Sequence, residues 1–162
     1  MKSYLTFLKY SAVDGRVILD VVREEVIEHM KKIYDLGIRS VVVIGVFSPL
    51  DVADLSQEDE VKAIIHDNFD DIDVVCSRDI GRIGFLEREN ACILNASILE
   101  IGRKSIASFE TALEALDLNC QLYLTQNDGT VMTTEMARLT PIKTFSSGAT
   151  VGQPGPYLRT SG

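Results

Sequence analysis

Two stretches of the chain carry residue types that could handle a ligand: QNDGT at 126–130 and TFSSGATVG at 144–152. The first places two amides, a carboxylate and a glycine (Gln126, Asn127, Asp128 and Gly129) directly after a predicted strand end. The second places Ser147 and Gly148 among small residues, whose backbone amides can approach an anion closely. Each also has a plain structural use. Amide, carboxylate and glycine are the ordinary residues of a tight turn. A run of small residues suits a phosphate-handling loop, the start of a helix or a frayed terminus.

The remaining chemical groups point less clearly to a site. His29 and His66 fall on predicted helices among charged neighbours, without a partner at metal spacing, and read as solvated helix residues. The acidic run Asp67, Asp70, Asp71 and Asp73 straddles a helix end and lacks the glycine-centred order of a calcium loop, so it reads as a surface turn. Cys76 ends a predicted strand, where α/β sites gather, but a lone cysteine is usually a small core residue. Arg82, Glu87, Arg88 and Glu89 could bind an anion or move a proton. Pairing of i,i+4 neighbours on a helix surface explains them without any ligand.

The elements that must hold these groups follow from periodicity. Residues 3–12 and 16–21 read as a hairpin around Asp14-Gly15. Val22, Val26, Met30 and Ile33 recur at helical spacing, with Gly37 as the stop, and feed a buried strand at 40–46. Ser56 and Asp59 form a capping-box start for a second helix carrying Val61, Ile64, Ile65 and Phe69, and a strand at 72–76 follows. Strand, helix, strand with short connections predicts a parallel α/β unit. Beyond it the spacing predicts two helices in series, ended by Asn119. A strand at 120–125, the QNDGT turn, a short helix over 133–138 and a strand at PIKTF complete the order.

A chain of 162 residues, 46% hydrophobic and 25% charged, fits one ordinary globular domain. Its net charge of -8 offers little to neutralise a phosphate backbone, which argues against nucleic-acid partners. The longest apolar run, VVVIGVF, is far short of the roughly 20 residues that cross a bilayer, and the N-terminus has no secretion signal. Cys76, Cys92 and Cys120 are odd in number and form no CxxC, which suits a reducing cytoplasm.

The order of segments resembles the hydantoinase/oxoprolinase family in its A-type chain. GIRSVVVIGVFSP, CSRDIGRIGFLEREN with LNASIL, LYLTQNDGT and PIKTFSSGA follow that family's register from about residue 10 to Gly148. Asn95-Ala96, Gln126 to Gly129 and Ser147-Gly148 are the nearest matches. The resemblance implies an α/β chain with a partial actin-like (ribonuclease H-like) ATPase fold, built as a mixed sheet with flanking helices. It implies ATP-dependent opening of a cyclic amide such as hydantoin or 5-oxoproline, with ATP and a divalent cation as cofactors of the complete enzyme. Phosphorylating the amide oxygen would drive that reaction, which demands a phosphate clamp and a metal. Gln126, Asn127, Asp128, Gly129, Ser147 and Gly148 would then line or support the cleft.

The family's two acidic, glycine-rich phosphate loops have no counterpart in these residues, and the pattern decays from Ala149 onward into QPGPYLRTSG. The expectation is an α/β region over 1–148 with a flexible tail over 149–162. It is read as a fragment of a cyclic-amide hydrolase that binds no cofactor and does not turn over alone. Its partners would be a further copy, a missing domain or a B-type subunit of the same family. The alternative is a non-catalytic interaction or regulatory module that keeps part of that fold.

Overall fold

The computed structural model describes residues 20–50, 56–82 and 84–151. The expected N-terminal hairpin and the tail beyond Val151 lie outside the described residues. The chain divides into two compact units, residues 1–96 and 97–162.

In the first unit, α1 (Arg23–Asp35) buries Val26, Met30 and Ile33 on one side. Glu24 and Glu25 in its first turn and Lys32 in its last oppose the helix dipole favourably. The helix stops where expected: Gly37 takes φ +78 and donates its N–H to the Tyr34 carbonyl at 2.9 Å. Strand β1 (Ser40–Val43) follows, shorter than the predicted 40–46, and a 3-10 turn (Ser48–Leu50) leaves it. The predicted capping box is present at the start of α2 (Gln57–Asn68), where Ser56 and Asp59 satisfy each other reciprocally.

Helix α2 crosses over to β2 (Asp73–Cys76), which pairs parallel to β1 with Val41 opposite Val74 and Val43 opposite Cys76. The core joins Val26, Met30, Ile33, Val41, Val43, Val61, Ile64, Ile65 and Ile72, and the Tyr34 and Phe69 rings pack at 5.4 Å against it. A short α3 (Ser77–Ile80) leaves β2 at once.

Where two helices were expected in series, one helix runs unbroken: α4 (Phe85–Ala115), 31 residues long. Gly102 in its middle is used for close approach, since a Cβ there would come within 2.8 Å of the Pro141 Cβ. A mid-helix glycine costs only about 1 kcal/mol relative to alanine, too little to break the helix. Asn119 is not its stop. Reversal comes at Asp117, with φ 54, and the Leu118 N–H closes on the Leu113 carbonyl at 3.0 Å.

In the second unit β3 (Tyr123–Thr125) and β4 (Val131–Thr133) form an antiparallel hairpin across QNDGT. Then α5 (Thr134–Leu139) starts at Thr133, whose hydroxyl accepts from the Met136 N–H. Its small core joins Ile106, Met132 and Ala137, with Leu124 against them. PIKTF is not a strand. Pro141–Thr144 forms a 3-10 turn, because proline's fixed φ suits the first helical position and the Lys143 N–H closes on the Thr140 carbonyl. The small residues then start α6 (Ser147–Val151). The fold is therefore α/β, and the described residues hold one parallel and one antiparallel strand pair among helices. No helix among the described residues is long and apolar enough to cross a membrane.

Candidate functional site

Parallel strands present their carboxyl ends to one side, and in the first unit the groups there converge on a buried carboxylate. Glu58, in the first turn of α2, is 1% exposed. Its Oε1 accepts from the Gly45 N–H at 2.7 Å and from the Ser48 and Ser77 hydroxyls at 2.5 Å each. Its Oε2 accepts from the Arg78 N–H at 3.0 Å. Gly45 and Ser48 follow β1, and Ser77 and Arg78 follow β2, so one side chain gathers both strand exits.

Arg88, from the first turns of α4, supplies the compensating charge. Its Nε donates to the Ser77 hydroxyl at 2.8 Å, and its terminal nitrogens donate to the carbonyls of Gly45, Val46 and Arg82. The expected surface pairing is therefore corrected for Arg88, which is 3% exposed. Helical spacing says which residues share a face, and here that face meets the strand exits rather than water. Arg78 continues the network outward by pairing with Asp59 at 2.6 Å.

Sequence reasoning missed Glu58, Ser48 and Ser77. The available signal was two hydroxyl residues placed just past two buried strands, each needing a partner once buried. The neighbouring thiols are inert: burial, with the Glu58 charge next, pushes Cys76 up to about 12, and burial does the same to Cys92. Asp79 is also raised by burial. A cleft beside this network, walled by Val22, Val26, Val43 and Val61, holds about 30 Å³, room for a water rather than a nucleotide.

The predicted site residues fall in the second unit, and Asn127 brings their two stretches together. Its Nδ2 donates to the Ile142 carbonyl at 2.9 Å, while its Oδ1 accepts from the Ser146 N–H at 2.7 Å. Its own N–H donates to the Lys143 carbonyl at 2.7 Å. QNDGT is thus adjacent to the TFSSG segment, next to Ser147 and Gly148.

The other turn residues look inward to the turn. Asp128 Oδ1 accepts from the Thr130 N–H and hydroxyl, and those bonds lower its pKa from the usual carboxylate value. Gln126 Nε2 donates to the Thr130 hydroxyl, and Gly129 takes φ +87. A Cβ on Gly148 would meet nothing within 4 Å. Ser146 N–H is spent on Asn127 and the Asp128 carboxylate on Thr130.

The other candidates sit as read from the sequence. His29 and His66 are exposed on their helices, Asp70 and Asp71 lie in an exposed turn, and Cys76 is buried. Among the described residues no three acidic, histidine or cysteine groups converge as a metal holder.

Residues 88–153 match the model of the hydantoinase/oxoprolinase family. The chain is also similar to a solved structure of acetone carboxylase, described with the mechanism of ATP-dependent acetone carboxylation and free of nucleotide. The identity is 16% and the TM-score 0.71, over 86% of this chain and 20% of that one. That likeness carries the fold alone, an α/β arrangement shared with part of that structure, and the chain spans about a fifth of the acetone carboxylase chain. No curated protein matches.

Proposed function

We propose, from the match of residues 88–153 to the hydantoinase/oxoprolinase family model, that the chain is part of an ATP-dependent enzyme that opens cyclic amides such as hydantoin or 5-oxoproline. The observation that carries this reading is the Asn127 bridge. It holds the turn at 126–129 against the segment leading into Ser147 and Gly148, the neighbourhood needed if both support one cleft.

In this reading Asn127 is a positioning residue. It fixes two backbone segments and leaves Gln126 and Gly129 at the turn surface, while ATP and a divalent cation are held by residues outside this set. Bound cation and nucleotide would supply activation of the amide. The chain's own contribution is orientation, and it does not turn over alone.

The test joins this chain in frame to the phosphate-loop segments of a hydantoinase/oxoprolinase relative and follows ADP release and ring opening of hydantoin and 5-oxoproline. The joined protein should turn over one of them, and the chain alone neither. Turnover by the chain alone, or a folded joined protein that opens neither ring, would sink the proposal. Calorimetric titration of the chain with magnesium and ATP should give at most weak heat, and micromolar affinity would contradict the division of labour.

A further inference from the structure

We propose that the exits of β1 and β2 form a binding pocket for a small carboxylate, complete without α2, and that Glu58 is the chain's own carboxylate standing in it. None of the groups that hold this carboxylate lies on α2. The Gly45 N–H and the Ser48 hydroxyl come from the segment after β1, and the Ser77 hydroxyl and the Arg78 N–H from the start of α3. The compensating charge of Arg88 comes from α4. All of these residues lie in the first unit. Helix α2 contributes only the anion.

The donors also have supports that do not pass through Glu58. The Gly45 carbonyl accepts from Arg88 Nη2, and the Val46 carbonyl accepts from the same nitrogen at 3.2 Å. Ser77 Oγ accepts from Arg88 Nε at 2.8 Å, and the Ser77 carbonyl accepts from the Gly81 N–H at 3.2 Å. Behind both segments the strand pair sets Val43 opposite Cys76. Donors held in this way are preorganised, so a free anion meets them with little cost of ordering.

The arrangement names the ligand class. One oxygen takes three donors and the other takes one, which two oxygens on a single planar carbon satisfy. A halide lacks the second acceptor. A tetrahedral anion brings further oxygens into a site where Ser77 is 0% and Ser48 3% exposed, with no water to meet them. One guanidinium balances one negative charge. There is also a way in, because Gly45 and Glu58 line the cleft walled by Val22, Val26, Val43 and Val61.

The test uses the whole chain carrying Glu58→Ala, unfolded by urea in sodium formate and in sodium chloride of the same ionic strength. Formate is a carboxylate with no tail, so it suits the space that the truncation leaves. A ligand of the folded state alone raises the folding constant by 1 + [L]/Kd, so with Kd of about 10 mM the variant should gain about tenfold at roughly 100 mM formate over chloride. The parent and Glu58→Gln, whose side chains fill the pocket, should behave alike in the two salts. An equal response of Glu58→Ala to formate and chloride overturns the proposal, as does a formate response of the same size in the parent or in Glu58→Gln. Should Glu58→Ala be unfolded in chloride, recovery of its helical circular dichroism in formate supports the pocket, and a chain equally unfolded in both salts overturns it.

Discussion

The two units solve the same problem, fixing a loop that follows a strand, with opposite means. In the first, the exits of β1 and β2 are tied by Glu58 and Arg88, two charges taken almost wholly out of water. In the second, the turn after β3 is tied by the amide of Asn127, an exposed and uncharged side chain. A buried carboxylate with four donors around it is costly to form and very costly to break, because removing it leaves those donors and the guanidinium uncompensated. An exposed amide exchanges its bonds with water cheaply. The first arrangement is a brace for the fold, and the second can be altered with the fold intact, which is the property a functional loop requires.

The largest expected effect breaks the first arrangement. Glu58→Ala should destabilise the chain by about 3–5 kcal/mol, measured by urea unfolding, because it orphans Gly45, Ser48, Ser77 and Arg78 and leaves the Arg88 charge buried. A loss below about 1 kcal/mol would mean that water reaches the network.

Thiol chemistry sharpens the same point. At pH 8 a thiol reagent should label Cys120, which is exposed, and spare Cys76 and Cys92, whose buried thiols stay protonated. Both folded values are raised to about 12 from 9, so the unfolded chain releases these protons first and stability should fall as pH climbs above 9. Fast labelling of all three in the folded chain would show that the strand exits open readily.

Asn127→Ala removes two exposed bonds and should cost about 1 kcal/mol, while freeing the 142–146 segment to faster hydrogen exchange. An unchanged exchange pattern would show that the bridge holds nothing. The smallest effect belongs to Asp128. Its folded pKa is lowered, so its contribution is present above the ordinary value of 3.8 and lost as pH falls through the lower folded value. Asp128→Asn should therefore differ slightly from the parent in thermal midpoint at pH 7 and not at all in strong acid. A difference that grows in acid would reverse the assignment.

What the sequence made legible was governed by local rules. Val26, Met30 and Ile33 announce α1, Ser56 and Asp59 announce the start of α2, and the strand-helix-strand order announces the parallel pair. The adjacency of QNDGT and TFSSG followed only from the reading in which both support one cleft, and the residue types of a plain turn carried no such expectation. The failures came where a distant partner decides. Pro141 turns into a 3-10 segment rather than a strand and sits where Gly102 lacks a side chain. Glu58 looks like one more acidic residue in a helix's first turn, and only the meeting of four segments makes it the centre of a network. Arg88 was misread for the same reason: charge in a helical pattern suggests water, and nothing within the pattern names the carbonyls that replace it.

The stop at the end of α1 has a stereochemical consequence. Gly37 holds φ +78 with nothing within 4 Å of where a Cβ would stand, so space is not what restricts this position. Handedness is. An L-alanine there must adopt the region its own β-carbon disfavours, whereas a D-alanine introduced by chemical ligation prefers it and would also narrow the freedom of the unfolded chain. The two enantiomers, identical in volume and polarity, should shift the melting temperature in opposite directions, the D form upward and the L form downward.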